Sequence, residues 1–387
     1  MTETSPSTIA RPATTKPLRV AIVGAGMIAA VHRRAALLSG ATVAGVLAST
    51  PDRSAAAAAS WRTEPFAGID QVAASDVDVV HVASPNETHA PYVSALLDAG
   101  KHVICEKPLG LTSDEATAMT EQAQRAGVIA TVPFVYRYHP LVREIRARAR
   151  EGEFGDWYLL HGSYLQDWML SPDSSNWRVD PARGGRSRAF ADIGSHWCDL
   201  VEWVSGERFS AVSAQASIAV GHRPATDAKA FAAPAAAATQ VSEQVQTEDS
   251  AVVLLRTASG VLGTLTVSQV AAGRSNRLWF ELDGSRRSAV FDQENPERIW
   301  LGEPGGARLV VRDPSSGSPE QRRLSSLPAG HAQGYAQCFE SFVADTYAAI
   351  GGAEPEGLPT FADGLRSAEI VDAVLRSAAS AKWEDIR

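Results

Sequence analysis

The stretch Leu18–Ala29, LRVAIVGAGMIA, decides the fold. Apart from Arg19, Leu18 to Val23 carry apolar side chains on both faces of a strand, and a strand without a polar face needs covering on both sides. Gly24-Ala25-Gly26 then turns the chain into MIAAVHRRAALLSG, whose apolar positions recur at helical spacing. A buried strand running through a glycine turn into a helix is the context in which a dinucleotide pyrophosphate binds. Gly24 and Gly26 permit the tight turn and close backbone approach, and the free amides at Met27 and Ile28 meet the negative charge. Ala29 stands where a third glycine is common, a position that governs helix packing. A glycine turn that binds nothing has the same local pattern.

Working outward, the alternation continues. TVAGVLAS leads to the helix DRSAAAAASW, and DVDVVHVASP leads to THAPYVSALLDAG. KHVICEKP leads to a helix that Thr112 and Glu115 start as a capping box. VIATVPFVY reads as a sixth strand, and LVREIRARAREG leads out near residue 140. Residues 18–140 therefore read as an α/β domain, a doubly wound parallel sheet of the Rossmann type. Residues 141–387 have another rhythm. WYLLHGSYLQDW, FSAVSAQASIAV, SAVVLLRTASGVLGTLTVSQV, RLWFELDGSRRSAVFDQ and RIWLG alternate apolar with polar residues and turn at Ser259-Gly260 and Asp283-Gly284. They predict an α+β domain with a largely antiparallel open sheet, closed by helices over about Tyr335–Ile350 and Phe361–Ala381. The Ala/Pro-rich run 221–246 reads as a mobile surface loop, and residues 1–17, rich in Ser, Thr and Pro, as a disordered tail.

The 387 residues, 45% hydrophobic and 21% charged, suffice for two cores. A net charge of −8 without a Lys/Arg cluster argues against a nucleic-acid surface. No apolar run approaches the ~20 residues that cross a bilayer. Cys105, Cys198 and Cys338 are widely spaced and lack a C-x-x-C pair, as expected of reduced thiols in a cytoplasmic protein without structural zinc. An open sheet with a broad apolar face would suit a homo-oligomer, a dimer or tetramer.

Candidate functional residues gather at strand ends, where open α/β sheets bind their ligands. After the second strand stand Ser49 and Thr50, with Arg53 at the next helix start. An acid is absent there, leaving room and positive charge for a 2′-phosphate, although a solvated Arg53 fits the same pattern. The fourth strand ends in Ser84, Asn86 and His89, and the fifth in Glu106-Lys107-Pro108. An unpaired buried charge is costly, so Glu106 and Lys107 belong in a cleft or in a surface ion pair. Proline restricts the residue before it and gives Lys107 a defined direction. In the second half, GGRSRAFADIGSHWCD sets Asp192 and His196 four apart at a helix start. A carboxylate beside an imidazole can orient it and raise its basicity for proton transfer near neutral pH. Two such groups without a third ligand do not make a metal site.

In this order, GAGMIA, SPNETH, EKP and GG…DIGSHWCD resemble the glucose-fructose oxidoreductase, inositol dehydrogenase and MocA-like family, over most of the chain from Leu18. The resemblance implies an NAD(P)-dependent oxidoreductase that moves a hydride between nicotinamide and a secondary hydroxyl or ketone of a sugar, cyclitol or glycoside. It implies that Lys107 reaches both nicotinamide and substrate, and that Asp192 and His196 complete the catalytic set. Where many relatives have Asn-Arg-Arg after the sixth strand, this chain has Phe134-Val-Tyr-Arg-Tyr-His-Pro140. Tyr136 and Arg137 are thus candidate substrate contacts, as are Trp168 and Arg178. The Ser49-Thr50-Arg53 arrangement favours NADP slightly over NAD. Two other readings remain on the sequence alone. One is a non-catalytic dinucleotide sensor on the same fold; the other is an NAD-dependent enzyme that cleaves glycosides through a 3-keto intermediate.

Overall fold

The structure, a computed structural model, describes residues 16–224 and 242–387. Six strands form the first sheet: β1 (Arg19–Val23), β2 (Thr42–Leu47), β3 (Glu64–Pro65), β4 (Val79–Val82), β5 (His102–Cys105) and β6 (Ala130–Thr131). Their order is β3-β2-β1-β4-β5-β6, all parallel, so the strand order reverses between β1 and β4. Dinucleotides lie across such a reversal, one half over each set of strands.

Side-chain alternation explains the two covered faces. Val20, Ile22, Val79 and Ile104 pack against Ala29, Ala35 and Ala36 of helix α1 (Met27–Leu38), together with Phe339, Phe342 and Val343. Ala21, Val23, Val80, Val82 and Val103 face the other way, onto Val93 and Leu96, Ala116 and Met119, and Phe361. The helix Tyr335–Ile350, which follows the second sheet in the chain, thus lies in the core of the first. Packing does not follow the division of the chain near residue 140.

Two local expectations are corrected. VIATVPFVY supplies only the two residues of β6, and Val135–Tyr138 wind into a 3₁₀ turn. Pro133 has no N–H for the ladder and biases its neighbours against continuing it. At the helix Ser113–Ala126, Thr112 Oγ1 accepts from Glu115 N at 3.2 Å, but Glu115 Oε2 accepts from Leu111 N at 2.7 Å, so the reciprocal half of the capping box lands one residue early.

The second sheet has nine strands, with Trp157–Leu165, Leu262–Ser268 and Arg277–Gly284 at its centre. It is antiparallel except where Leu262–Ser268 runs parallel to Trp157–Leu165. Leu160, Val253, Leu265 and Phe280 bury one face against Trp197, Leu200 and Val201 of the helix Ser195–Ser205 and Ile370 and Val374 of the helix Phe361–Ser380. The other face exposes Val252, Leu254 and Leu262. Within the run 221–246, His222–Pro224 pairs antiparallel with Ser242–Gln244, so its ends are strand and not loop. Residues 225–241, and the tail through residue 15, lie outside the described residues. Among the described residues no helix is long and apolar enough to cross a membrane.

Candidate active site

The glycine turn is built to receive an anion. Gly24 has φ +120°, and a Cβ there would stand 2.4 Å from the Ala83 carbonyl oxygen, so only glycine lets β1 and β4 close at the reversal. A Cβ on Gly26 would meet nothing within 4 Å, and Gly26 N-caps α1 without a side-chain cap. The first amides of a 12-residue helix are therefore left without a side-chain cap, as a pyrophosphate requires. Met27 beside them is exposed. This cradle fits a dinucleotide.

At the end of β2, Thr50 caps the helix Pro51–Trp61, and Arg53 Nη1 donates to Ser49 Oγ at 3.0 Å. Arg53 is exposed, so its guanidinium remains reachable. At the end of β4, Ser84 Oγ bonds Thr88 Oγ1, and its carbonyl faces His89 Nε2 at 3.0 Å. His89 Nδ1 lies 2.9 Å from the Pro108 carbonyl. His89 is wholly buried and ties the loops after β4 and β5 together. Asn86 donates from Nδ2 to the Gly184 carbonyl at 2.9 Å, which draws the second unit onto the rim of the first.

Lys107 crosses the same junction. Its Nζ donates to Asp192 Oδ1 at 2.7 Å and to the Asp192 carbonyl at 2.9 Å. Asp192 sits on a π-helical turn, Phe190–Gly194, that opens the helix Ser195–Ser205. Buried Glu248 organises this turn, accepting from Ser187 Oγ at 2.7 Å and from the amides of Arg188 and Phe190 at 3.1 and 2.8 Å. Asp192 Oδ2 accepts from Gln269 Nε2 at 2.8 Å, and Arg178 Nε approaches Oδ1 at 3.8 Å. Burial would raise the Asp192 carboxyl, but the Lys107 and Arg178 charges outweigh it and hold the group well below the usual carboxylate range.

His196 differs from expectation. Asp192 is committed to Lys107 and Gln269, and His196 Nδ1 is buried without a hydrogen-bond partner. Burial first, and then the Lys107 charge, push the imidazole well below its ordinary pKa; Asp192 opposes them only in part. The carboxylate therefore does not leave His196 more basic than usual. Its ring stands edge-on to Phe134 and Tyr136, with centroids 5.7 and 5.2 Å away.

Tyr136 lies behind His196. Its hydroxyl bonds Tyr164 OH at 2.7 Å and accepts from Asn276 Nδ2 at 3.1 Å, and burial pushes its pKa up to about 12. Gln166 donates from Nε2 to Asn276 Oδ1 and accepts from Trp168 Nε1, both at 2.9 Å, so Trp168 joins the same polar ladder. Arg178 stacks on Trp177 and lines a narrow cleft with Asn86, Pro108 and Asp192. Arg137 is brought elsewhere. Its guanidinium is buried between Asp199 and Asp363 and against Trp203, in a separate crevice. There it braces the units through Asp199 and Asp363, while Lys107 pairs with Asp192.

Several members of the site have no local signal in the sequence. Gln269 directly follows a strand of the second sheet, which is largely antiparallel and outside the strand-end rule that marks Lys107. Asn276 and Glu248 stand in loops with no pattern to mark them.

Comparison with known proteins fits this geometry. Residues 18–134 match the oxidoreductase family with NAD-binding Rossmann fold, and residues 142–290 match the GFO/IDH/MocA C-terminal domain. The chain belongs to the GFO/IDH/MocA oxidoreductases. Among members of this family, levoglucosan dehydrogenase of Pseudarthrobacter phenanthrenivorans is 34% identical over 80% of this chain and 80% of its own length. Inositol 2-dehydrogenase of Rhizobium meliloti is 27% identical over 94% of this chain and 97% of its own. A solved structure of levoglucosan dehydrogenase in complex with NADH and levoglucosan superposes with a TM-score of 0.86 at 29% identity, covering 96% of this chain and 100% of that one. Such likeness over both sheets accounts for the fold of this GFO/IDH/MocA member throughout.

Proposed function

We propose that this oxidoreductase oxidises a secondary hydroxyl of a sugar, cyclitol or glycoside, or reduces the corresponding ketone, with NAD(P). One observation carries the reading. Lys107, at a strand end of the dinucleotide sheet, is locked to Asp192 of the second unit, beside an imidazole held neutral. Such a junction suits chemistry between a cofactor on one unit and a substrate on the other. Bound nicotinamide supplies a hydride acceptor for oxidation, or a donor for reduction. Lys107 stabilises negative charge on the reacting oxygen. His196 takes the hydroxyl proton in oxidation and returns it in reduction. Asp192, steadied by Gln269, holds the ammonium in place. Arg178 and Trp168 line the substrate side. The named dehydrogenases of levoglucosan and inositol support a polyol substrate class.

The finer cofactor reading is NADP, supported by Ser49, Thr50 and exposed Arg53 in place of an acid. Relatives point both ways: one solved levoglucosan dehydrogenase holds NADH, and a D-xylose 1-dehydrogenase of Haloarcula marismortui is named for NADP. A homo-oligomer, dimer or tetramer, would cover the exposed Val252, Leu254 and Leu262 of the open sheet. A cytoplasmic location agrees with three free, buried thiols. Screening sugars and cyclitols with each oxidised dinucleotide, while following nicotinamide absorbance, tests the reading. Failure of every polyol with both cofactors would reject it.

A further inference from the structure

Behind Lys107 lies a buried chain of four titratable side chains that the chemistry above does not use. Glu106 Oε1 lies 3.1 Å from His32 Nε2; His32 Nδ1 lies 2.9 Å from His81 Nδ1; His81 Nε2 lies 2.8 Å from Tyr347 OH. The chain links α1, which the glycine turn opens, with β4, the end of β5 and the helix Tyr335–Ile350. His32 and His81 are fully buried, and Glu106 and Tyr347 nearly so.

The donors follow from the acceptors. An ionised Glu106 only accepts, so His32 Nε2 carries a proton toward it. Burial disfavours a charged ring, and the filling without one has Tyr347 donating to His81, His81 to His32, and His32 to Glu106. Every proton in the chain then points at one carboxylate. Burial alone would raise the Glu106 carboxyl, yet the His32 ring, through its hydrogen bond and its electrostatic pull, and then the Lys107 charge and the Lys107 amide on Oε2 bring it below its ordinary value. Lys107's own charge is shared with Asp192, so Glu106 is an anion fixed in the protein interior at the rim.

Its place gives that anion a use. The glycine turn and the Ser49–Arg53 segment serve the half of the sheet made by β1 to β3, which takes the adenosine half of a dinucleotide. The half containing β4 to β6, where Glu106 ends β5, takes the nicotinamide half. Oxidised nicotinamide carries a positive charge that the reduced ring lacks. We propose that the Glu106–His32–His81–Tyr347 chain holds a fixed negative charge that makes this protein bind oxidised dinucleotide more tightly, relative to reduced dinucleotide, than it otherwise would. This rests on the NAD(P) reading above.

The test is equilibrium binding without substrate. Dissociation constants for oxidised and reduced dinucleotide are measured by protein-fluorescence titration for the wild type, Glu106→Gln and Tyr347→Phe. Glu106→Gln keeps the shape and removes the charge; it is expected to weaken oxidised relative to reduced dinucleotide by roughly tenfold, the scale of one partly screened charge. Tyr347→Phe removes only the last donor and is expected to move the ratio the same way by a smaller factor. A purely structural role would weaken both forms together. A ratio unchanged in Glu106→Gln overturns the proposal, and if that variant does not fold, an unchanged ratio in Tyr347→Phe does so. A wild type that binds neither dinucleotide overturns the functional reading instead.

Discussion

Lys107 and Asp192, 85 residues apart, meet where the two units join, with Nζ 2.7 Å from Oδ1 and 2.9 Å from the main-chain carbonyl. The pair neutralises a partly buried charge on each side and fixes the ammonium in one direction. A lysine so held costs little reorganisation when negative charge develops beside it. Burial first, and then the nearby ammonium, keep the His196 imidazole uncharged.

Asp192→Asn should destabilise the protein by up to about 3 to 5 kcal/mol at neutral pH, since it leaves a largely buried ammonium without its counter-charge. The folded Asp192 pKa is depressed, so its contribution is complete above the unfolded carboxyl value of about 4 and fades as pH falls toward the folded value. Melting temperatures of wild type and variant should therefore converge below about pH 4. A gap that stays constant from neutral pH to pH 3 would count against the ion pair as its source.

His196→Ala should lower turnover by about 10² to 10⁴. In the wild type, the acid limb of the rate profile should have its midpoint below about 6.5, because burial and Lys107 depress the imidazole. Removing the Lys107 charge should move that limb toward neutrality in the residual activity of Lys107→Met. An acid limb at the same pH in both proteins would assign the titration to another group.

Arg53→Ala should weaken NADP by roughly 1.5 to 3 kcal/mol and leave NAD almost unaffected, the range for hydrogen bonds to a charged partner. Titrating both dinucleotides into both proteins checks it. Equal losses for the two would make Arg53 a solvated helix residue, and a wild type that prefers NAD would remove the case for NADP.

Arg137→Met should act on stability. It strands buried Asp199 and half-buried Asp363, and should cost up to about 3 to 5 kcal/mol in denaturant unfolding. Dinucleotide affinity below the melting range should stay near that of the wild type. A folded variant that loses substrate affinity alone would restore Arg137 to the substrate side.

The parts legible in the sequence were those written in contiguous residues. Gly24 and Gly26 announce themselves because a turn and a helix start must be adjacent in the chain, and Glu106-Lys107-Pro108 stands out because charges end a strand that is otherwise core. Asp192 and His196 were found as a pair, but their partners were not. The Asp192 carboxylate turns to Lys107 and Gln269, contacts that only the folded chain creates. The partners of Arg137 are illegible for the same reason, since Asp199 and Asp363 lie 62 and 226 residues away. The histidines at 32 and 81 have no motif at all; helix and strand bring them together on one face of the sheet. VIATVPFVY was apolar enough for a strand, and Pro133 decided otherwise.

The measurement that tests the account most directly is turnover of Lys107→Met beside its dinucleotide affinity. The wild type, given oxidised dinucleotide and a panel of sugars and cyclitols, should reduce nicotinamide with at least one of them. Lys107→Met should bind the dinucleotide with little loss and turn over that polyol about 10² times more slowly or worse. A folded Lys107→Met protein that reduces nicotinamide at the wild-type rate would contradict the placement of the reaction at the Lys107–Asp192 junction.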